Sequence, residues 1–339
     1  MSQPRILTVV LNWRTPDMTL RAVDYALRAM QGLAGEIIVV DNDSGDGSFQ
    51  KMADHAAAQG WTKGNRVRVV QSGRNGGFGA GNNVGIRAGL SDGSKPDFVY
   101  VLNSDAFPAP DAIQLLLRPL LADPTLWCAG SYIHGPEGEP HETLFRFPSI
   151  ASEFESAIRF GPVTRLLRDR TIACPLPDQD TRADWISGAS ILMRQSVLDE
   201  MGTFDETFFL YFEETDLFLR AHRAGHQSQY VRDSHVMHIG SVSTGMKEWA
   251  RVPDYWFDSR LHYFVKNHGV AYAAAATCAH LLGGSLNWLR RTLERKPTGS
   301  PPHFLRTLLR HDLKFALRAL GGARETSSRR AVPADRSNV

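Results

Sequence analysis

Hydrophobic residues follow two rhythms along the first 125 residues. Apolar runs at 5–11 (RILTVVL), 36–41 (EIIVVD), 67–72 (VRVVQS) and 97–105 (DFVYVLNSD) alternate with stretches at 16–30, 48–59, 79–90 and 111–123, where apolar residues recur every three or four positions. Unbroken apolar runs of that length are strands buried on both faces, and the longer spacing is that of a helix with one buried side. The first helical stretch opens on Pro16, a residue favoured in a first turn. Four strand–helix alternations predict a parallel sheet with helices on both faces. Ligands bind such sheets at the carboxyl ends of the strands. Those ends are Asn12, Asp41-Asn42-Asp43, Arg74-Asn75 and Asn103-Ser104-Asp105, all polar.

The strict alternation stops near residue 130. Residues 134–182 are rich in Pro, Gly and charge, with one helical stretch near 151–168, and read as a mobile loop region beside the site. A strand and helix follow at 183–202, a helix at 209–225 and a last strand at 229–240; from 253 the pattern is helical. Residues 270–289 hold no charge over the length of a membrane span, but their many Ala and Gly, with His280, Ser285 and Asn287, favour a buried or interfacial helix. After the break KPTGSPPH (296–303), residues 304–320 set Leu and Phe beside Arg306, Arg310, Lys314 and Arg318, and 321–339 are polar and read as disordered. The expected organisation is a catalytic domain over 1–250, whose two halves meet at about 130. A basic helical extension over 251–320 and the tail complete it. On this reading, removing the chain beyond about residue 296 leaves catalysis intact.

Composition changes the picture in two places. At 42% hydrophobic and 22% charged, the chain is an ordinary globular one. Its net charge of +2 hides an asymmetry: residues 251–339 carry 15 Lys/Arg against 6 Asp/Glu, a net +9 that leaves −7 for the first 250. A basic end seeks an anionic partner, here read as an anionic membrane surface and not nucleic acid. Cys128, Cys174 and Cys278 share no CxxC or zinc spacing, and a sparse, odd count suits the reducing cytoplasm. No signal-peptide cleavage pattern follows the first apolar run.

Four features offer chemistry. Asp41, at a strand end, can accept hydrogen bonds from a pyrimidine N–H or a ribose hydroxyl, although DNDSGDG is equally good turn chemistry. The loop RNGGFGAGNN (74–83) has four glycines that either bring backbone N–H groups close to a ligand or simply make a flexible loop; it fits neither dinucleotide nor phosphate-loop spacing. Asp105 suits a divalent cation that bridges two phosphates, and His238 at the end of the last strand would bias such a site toward Mn2+, although an isolated His is ordinarily structural. Glu213, Glu214 and Asp216 open a helix, where the dipole alone favours acids. Crowded beside FFLYF, they should also raise at least one carboxyl pKa toward that of a general base.

In order along the chain, VVDNDSGDGS, RNGGFGAGNN, LNSDAFP, WISGASILMRQ, FDETFFLYFEETDLFLRAHRAG and HVMHIGSVS resemble the family 2 glycosyltransferases of the rhamnosyltransferase type. Each motif is weak alone; six in sequence across about 5–270 are specific. The resemblance implies the GT-A fold: α/β, with a mostly parallel nucleotide-binding sheet flanked by helices, a nucleotide-binding half over about 1–130 and an acceptor half over about 131–250, here followed by a C-terminal helical extension. It implies an inverting, metal-dependent enzyme using Mg2+ or Mn2+. Asp41 would hold the nucleotide base, within a nucleotide site of Asn12, Asn75, Gly77, Asn82 and Ser104. Asp105 would be the main metal carboxylate, because the first acid of the family's Asp-x-Asp motif is Asn103 here, and His238 would complete the metal site. Trp185, Ser187 and Gly188 would line the acceptor and donor sugar. Glu214 matches the catalytic base, usually Asp in the family, which keeps Glu213 as a second candidate.

The donor implied is a dTDP- or UDP-linked sugar, rhamnose first. The acceptor would be a hydroxyl of a glycan or of a polyprenyl-diphosphate-linked sugar in cell-surface polysaccharide synthesis, met at the inner face of the cell membrane. Two other classes fit parts of the pattern. A sugar nucleotidylyltransferase usually carries a basic glycine-rich loop after strand one, where LNWRTPDM stands. An inactive nucleotide-sugar-binding protein need not keep Glu214, Asp105 and His238 together.

Overall fold

The computed structural model describes residues 3–240, 251–297, 299 and 301–329, with side chains as far as 318. β1 (Arg5–Asn12), α1 (Pro16–Ala29), β2 (Ala34–Asp41), α2 (Ser48–Ala58), β3 (Val67–Gln71), α3 (Gly77–Ala88) and β4 (Phe98–Asn103) follow the predicted alternation. Next come β5 (Ala106–Pro108), α4 (Ala112–Ala122), β6 (Leu126–His134), β7 (Leu144–Phe145), α5 (Ile150–Ile158) and α6 (Gly161–Leu166). Then β8 (Thr181–Ala183), β9 (Trp185–Ile186), β10 (Ser190–Arg194), α7 (Gln195–Met201), α8 (Glu213–Arg223) and β11 (Gln227–His238) complete the catalytic part. Helices α9 (Asp254–His268), α10 (Val270–Leu293) and α11 (Phe304–Arg329) form the extension.

One large sheet runs β3-β2-β1-β4-β10-β6-β11-β5, with β8 also on β11. β3, β2, β1 and β4 are parallel, as predicted. β10 is antiparallel to both of its neighbours, so the sheet as a whole is mixed, and the two halves of the catalytic part share it. Alternate residues on each strand feed two cores. Ile6, Val10, Ile37 and Val39 pack under α1 and α4, with Val23, Ala26, Ile113 and Leu116. Leu7, Val9, Ile38, Val40, Val99 and Val101 pack under α3, α7 and α8, with Ile86, Val197, Leu217 and Phe218.

β6 escaped the apolar pattern because serine interrupts it. Ser131 Oγ lies 2.7 Å from Ser190 Oγ on β10 and 2.9 Å from Ser234 Oγ on β11, and Tyr100 Oη lies 2.8 Å from Ser190 Oγ. All four residues are fully buried, so these hydroxyls satisfy one another across adjacent strands.

Three expectations shift. α8 starts at Glu213 and not near 209; Tyr211 and Phe212 before it take φ of 70° and 68°, a left-handed region costly for such side chains, which turns the chain into the helix. The one helical stretch near 151–168 is two helices, α5 and α6. α11 continues to Arg329, past the start of the expected disordered tail; 330–339 lie outside the described residues, as do 241–250 with the end of the motif HVMHIGSVS.

No helix among the described residues is long and apolar enough to cross a membrane. α10 packs one face on α5, burying Ala273, Ala276, Thr277, Gly283 and Asn287. Its anchor is polar: Arg260 of α9, 1% exposed, donates to Glu153 of α5 at 2.8 Å, to Thr277 of α10 at 3.1 Å and to Asp312 of α11 at 3.4 Å. His280 Nδ1 sits 2.8 Å from the same Glu153 oxygen. Burial opposes the charge of Glu153, but the Arg260 guanidinium and His280 hold its carboxyl below the usual range. α11 therefore packs on the body through Leu308, Phe304 and Phe315 as well as Asp312, while Leu309, Leu313 and Leu317 remain exposed.

Candidate active site

The polar strand ends gather along one edge of the parallel sheet. Asn12 and Asp41 are register partners at the ends of β1 and β2. Asp41, 1% exposed, accepts from Asn12 Nδ2 at 2.7 Å and Ser44 Oγ at 2.6 Å. Asn12 in turn accepts from Thr19 Oγ1 at 2.7 Å. Both ends of the Asn12 side chain are thus engaged, which fixes it against Asp41. Ser44 and Thr19 were missed by the sequence reading; the only signal was the serine inside a turn motif.

The glycine-rich loop becomes the first turn of α3. Gly77 takes φ +87°, and a Cβ there would fall 1.7 Å from the Phe209 carbonyl oxygen, so glycine is required where this loop docks beside α8. Asn75 Oδ1 accepts from Gly77 N–H at 3.1 Å and from Asn42 Nδ2 at 3.0 Å. Asn82 is fully buried and donates to the Phe78 carbonyl at 3.0 Å.

Beyond the end of β4, Ser104 is buried and Asp105 is 6% exposed. Asp105 Oδ1 lies 3.1 Å from His238 Nε2, and Oδ2 accepts from Gly240 N–H at 3.1 Å. β5 pairs with the end of β11 and sets Ala106 opposite His238, which is how residues 133 apart in sequence meet. Burial opposes the charge of Asp105, but His238 and the Gly240 N–H hold its carboxyl below the usual carboxylate range. Among the described residues no three His, Cys, Asp or Glu side chains converge. One carboxylate and one imidazole are nonetheless the sparse protein donor set of a Mg2+ or Mn2+ ion that completes its shell with substrate phosphates. The buried oxygen of Asn103 beside them has no hydrogen-bond partner, nor do Asn42 Oδ1, Asn82 Oδ1 and Glu213 Oε2. Orphaned buried acceptors are rare, and these four belong to the motifs at this end of the sheet.

The acidic run separates into three roles. Asp216, fully buried, is tied to Lys266 and Arg220 at 2.8 and 2.9 Å and to Asn267 at 2.9 Å, so it fastens α8 to α9. Glu213, 1% exposed, packs toward Gly79 of α3. Glu214, half-buried, faces Gly188: a Cβ on that glycine would lie 2.7 Å from Glu214 Oε1. Burial raises the Glu214 carboxyl, against the Glu214 and Gly188 N–H groups that steady its charge. Burial raises Glu213 further, and the charge of Glu214 adds to it. Burial thus weighs more heavily against the charge of Glu213 than against that of Glu214.

The segment from Trp185 to Ala189 joins these pieces. Trp185 stacks on Phe145 with ring centroids 4.1 Å apart and donates to the Arg146 carbonyl. Ser187 N–H donates to the Thr143 carbonyl at 3.0 Å. Ala189 accepts from Asn103 N–H at 3.0 Å, so the residue after Gly188 is bonded to the turn that carries Asp105. Phe145 and Thr143, in the region read as a mobile loop, are partners the sequence did not reveal.

Residues 4–254 match the family described as Glycosyltransferase like family 2. The N-acetylglucosaminyl-diphospho-decaprenol L-rhamnosyltransferase of Mycobacterium tuberculosis is 31% identical over 224 residues, 62% of this chain and 68% of that one. Rhamnosyltransferase WbbL of Escherichia coli K12 is 25% identical over 165 residues, 48% of this chain and 60% of that one. Among solved structures, GalNAc-T7 with UDP, GalNAc and Mn2+ superposes with a TM-score of 0.55 at 13% identity, over 92% of this chain and 55% of that chain's length. That likeness is one of fold.

Proposed function

We propose, for a chain that belongs to the glycosyltransferase-like family 2 and so is a GT-A glycosyltransferase, that it moves a sugar with inversion from a nucleoside diphosphate donor to a hydroxyl of a glycan or lipid-linked acceptor. The observation that carries this reading is the bridge at Gly188-Ala189, with the raised carboxyl of Glu214 on one side and the Asn103–Asp105 turn on the other. The donor lies across the strand ends, its base at Asp41, with Asn75, Gly77, Asn82 and Ser104 around the nucleotide. Asp105 and His238 would hold a Mg2+ or Mn2+ ion, which when bound offsets the charge of the departing diphosphate. Glu214 takes the proton from the acceptor hydroxyl. The acceptor oxygen attacks the anomeric carbon from the face opposite the leaving group, so one displacement inverts the configuration and no covalent enzyme intermediate forms. Trp185, Ser187 and Gly188 line the sugar site. The donor is dTDP- or UDP-linked, with rhamnose first because relatives carry that activity in their names. The enzyme works peripherally at the inner face of the cell membrane.

The test is a panel of nucleotide sugars incubated with Mn2+ and scored for free nucleoside diphosphate. Release of nucleoside diphosphate, lost in excess EDTA and in Asp105→Ala, is expected. Pyrophosphate release, or undiminished turnover in EDTA, overturns the reading.

A further inference from the structure

The remaining feature is an uncovered apolar surface on the extension. Among the described residues thirteen large apolar side chains are exposed, and nine of them lie on α10 and α11. Leu282, Leu286, Leu289 and Leu293 recur every three or four residues and so form one row along α10, opposite its face on α5. Leu309, Leu313 and Leu317, 50%, 53% and 61% exposed, form a second row on α11. The helices are adjacent, since Leu305 of α11 lies against Gly284 of α10. Single exposed leucines are ordinary; two rows on neighbouring helices mark a surface that something covers.

Charge identifies what covers it. Arg306, Arg310, Lys314 and Arg318 stand at four-residue intervals beside the α11 leucines, and none has a carboxylate within ion-pair distance among the described residues. Over 304–318 the one acid is Asp312, committed inward to Arg260 and Thr277. A second copy meeting this face symmetrically would set base against base. A nucleic acid would satisfy the bases and leave the leucines uncovered. A lipid surface with anionic headgroups satisfies both.

We infer that the outward faces of α10 and α11 are the membrane-contact surface of this enzyme, with leucines at the acyl boundary and α11 bases on anionic headgroups. This rests on the reading of the enzyme as peripheral, and gives that reading a location on the molecule.

The test uses the full chain and co-sedimentation with equimolar phosphatidylcholine–phosphatidylglycerol vesicles, beside pure phosphatidylcholine. Donor hydrolysis is followed in the same samples without vesicles. The wild type is expected to bind the anionic vesicles and to be released by salt. Arg310→Gln/Lys314→Gln/Arg318→Gln should weaken binding about a hundredfold, near fivefold for each basic residue removed. Leu282→Ser/Leu289→Ser and Leu309→Ser/Leu313→Ser should also lose binding, while Leu121→Ser/Leu166→Ser, on exposed leucines elsewhere, should bind as the wild type does. All should hydrolyse donor normally. A wild type that hydrolyses donor yet ignores anionic vesicles overturns the inference and leaves the catalytic reading standing. So does variant binding equal to wild type, or a wild-type dimer that the leucine variants turn into monomer. A chain that binds vesicles but hydrolyses no nucleotide sugar overturns the catalytic reading alone.

Discussion

Glu213 and Glu214 are adjacent and chemically identical, yet the fold gives them different surroundings. Glu213 is enclosed with one carboxyl oxygen unpartnered and has only its own N–H to steady its charge, whereas Glu214 has the Gly188 N–H as well as its own. Glu214→Gln should therefore lower kcat about a hundredfold or more while donor binding persists. Glu213→Gln, which replaces a carboxyl whose charge burial opposes, should leave kcat near wild type. If steady-state kinetics show the reverse, the base is Glu213. The raised Glu213 carboxyl also has a consequence for stability. A group that binds its proton more tightly when folded adds stability below its unfolded pKa and loses it as pH rises through the folded pKa. From about pH 5 upward the wild type should lose stability that Glu213→Gln keeps. Urea unfolding of both proteins across that range measures the difference; parallel curves would show that Glu213 ionises normally.

At the scale of elements, the site depends on backbone segments that pass closely. The strand-to-strand segment holding Gly188 runs against α8, with no room for a side chain between it and Glu214. Gly188→Ala should push the carboxylate aside without unfolding the protein, because the obstacle is the end of a side chain. A displacement on the order of 1 Å at a reacting group costs about a hundredfold in rate. The expected outcome is kcat reduced by at least tenfold with donor KM little changed, read in the nucleoside diphosphate release assay. Gly77→Ala is a different experiment. Its Cβ would strike the Phe209 carbonyl, which belongs to the backbone, so the loop itself must move and donor KM should rise.

On the scale of the whole molecule, the extension is part of the core. Arg260 joins α5, α9, α10 and α11 through buried bonds, and Leu308 completes a cluster with Val252 and Phe257. Removing one partner of a buried ion pair leaves the other uncompensated, at a cost of about 3–5 kcal/mol. Arg260→Leu, which strands Glu153 and Asp312, should lower unfolding free energy by about that amount. Ending the chain near residue 296 removes Asp312 and Leu308 together, so the shortened protein should unfold at lower urea concentration. The expectation that catalysis survives this truncation then applies where the shortened fold persists. Equal urea midpoints for full-length and shortened chains would show that the network adds nothing.

Much of this protein is legible in its sequence, because local periodicity records burial. Apolar runs such as RILTVVL and EIIVVD mark strands covered on both sides, and their lengths alone put Asn12, Asp41 and Asp105 at or just past strand ends. The ordered motifs also bring out His238 and Glu214. What the spacing cannot carry is which distant segments meet. β6 went unread because the serines within it answer serines 59 and 103 residues away. Asp216 belongs to the acidic run by spacing but is held by Lys266, and Phe304, Leu308 and Phe315 of α11 turn inward. The difference between Glu213 and Glu214 lies in which of two neighbouring side chains gains a backbone N–H from a distant segment. Gly188, 26 positions upstream, brings its N–H to Glu214, and its approach depends on how β9 packs against α8.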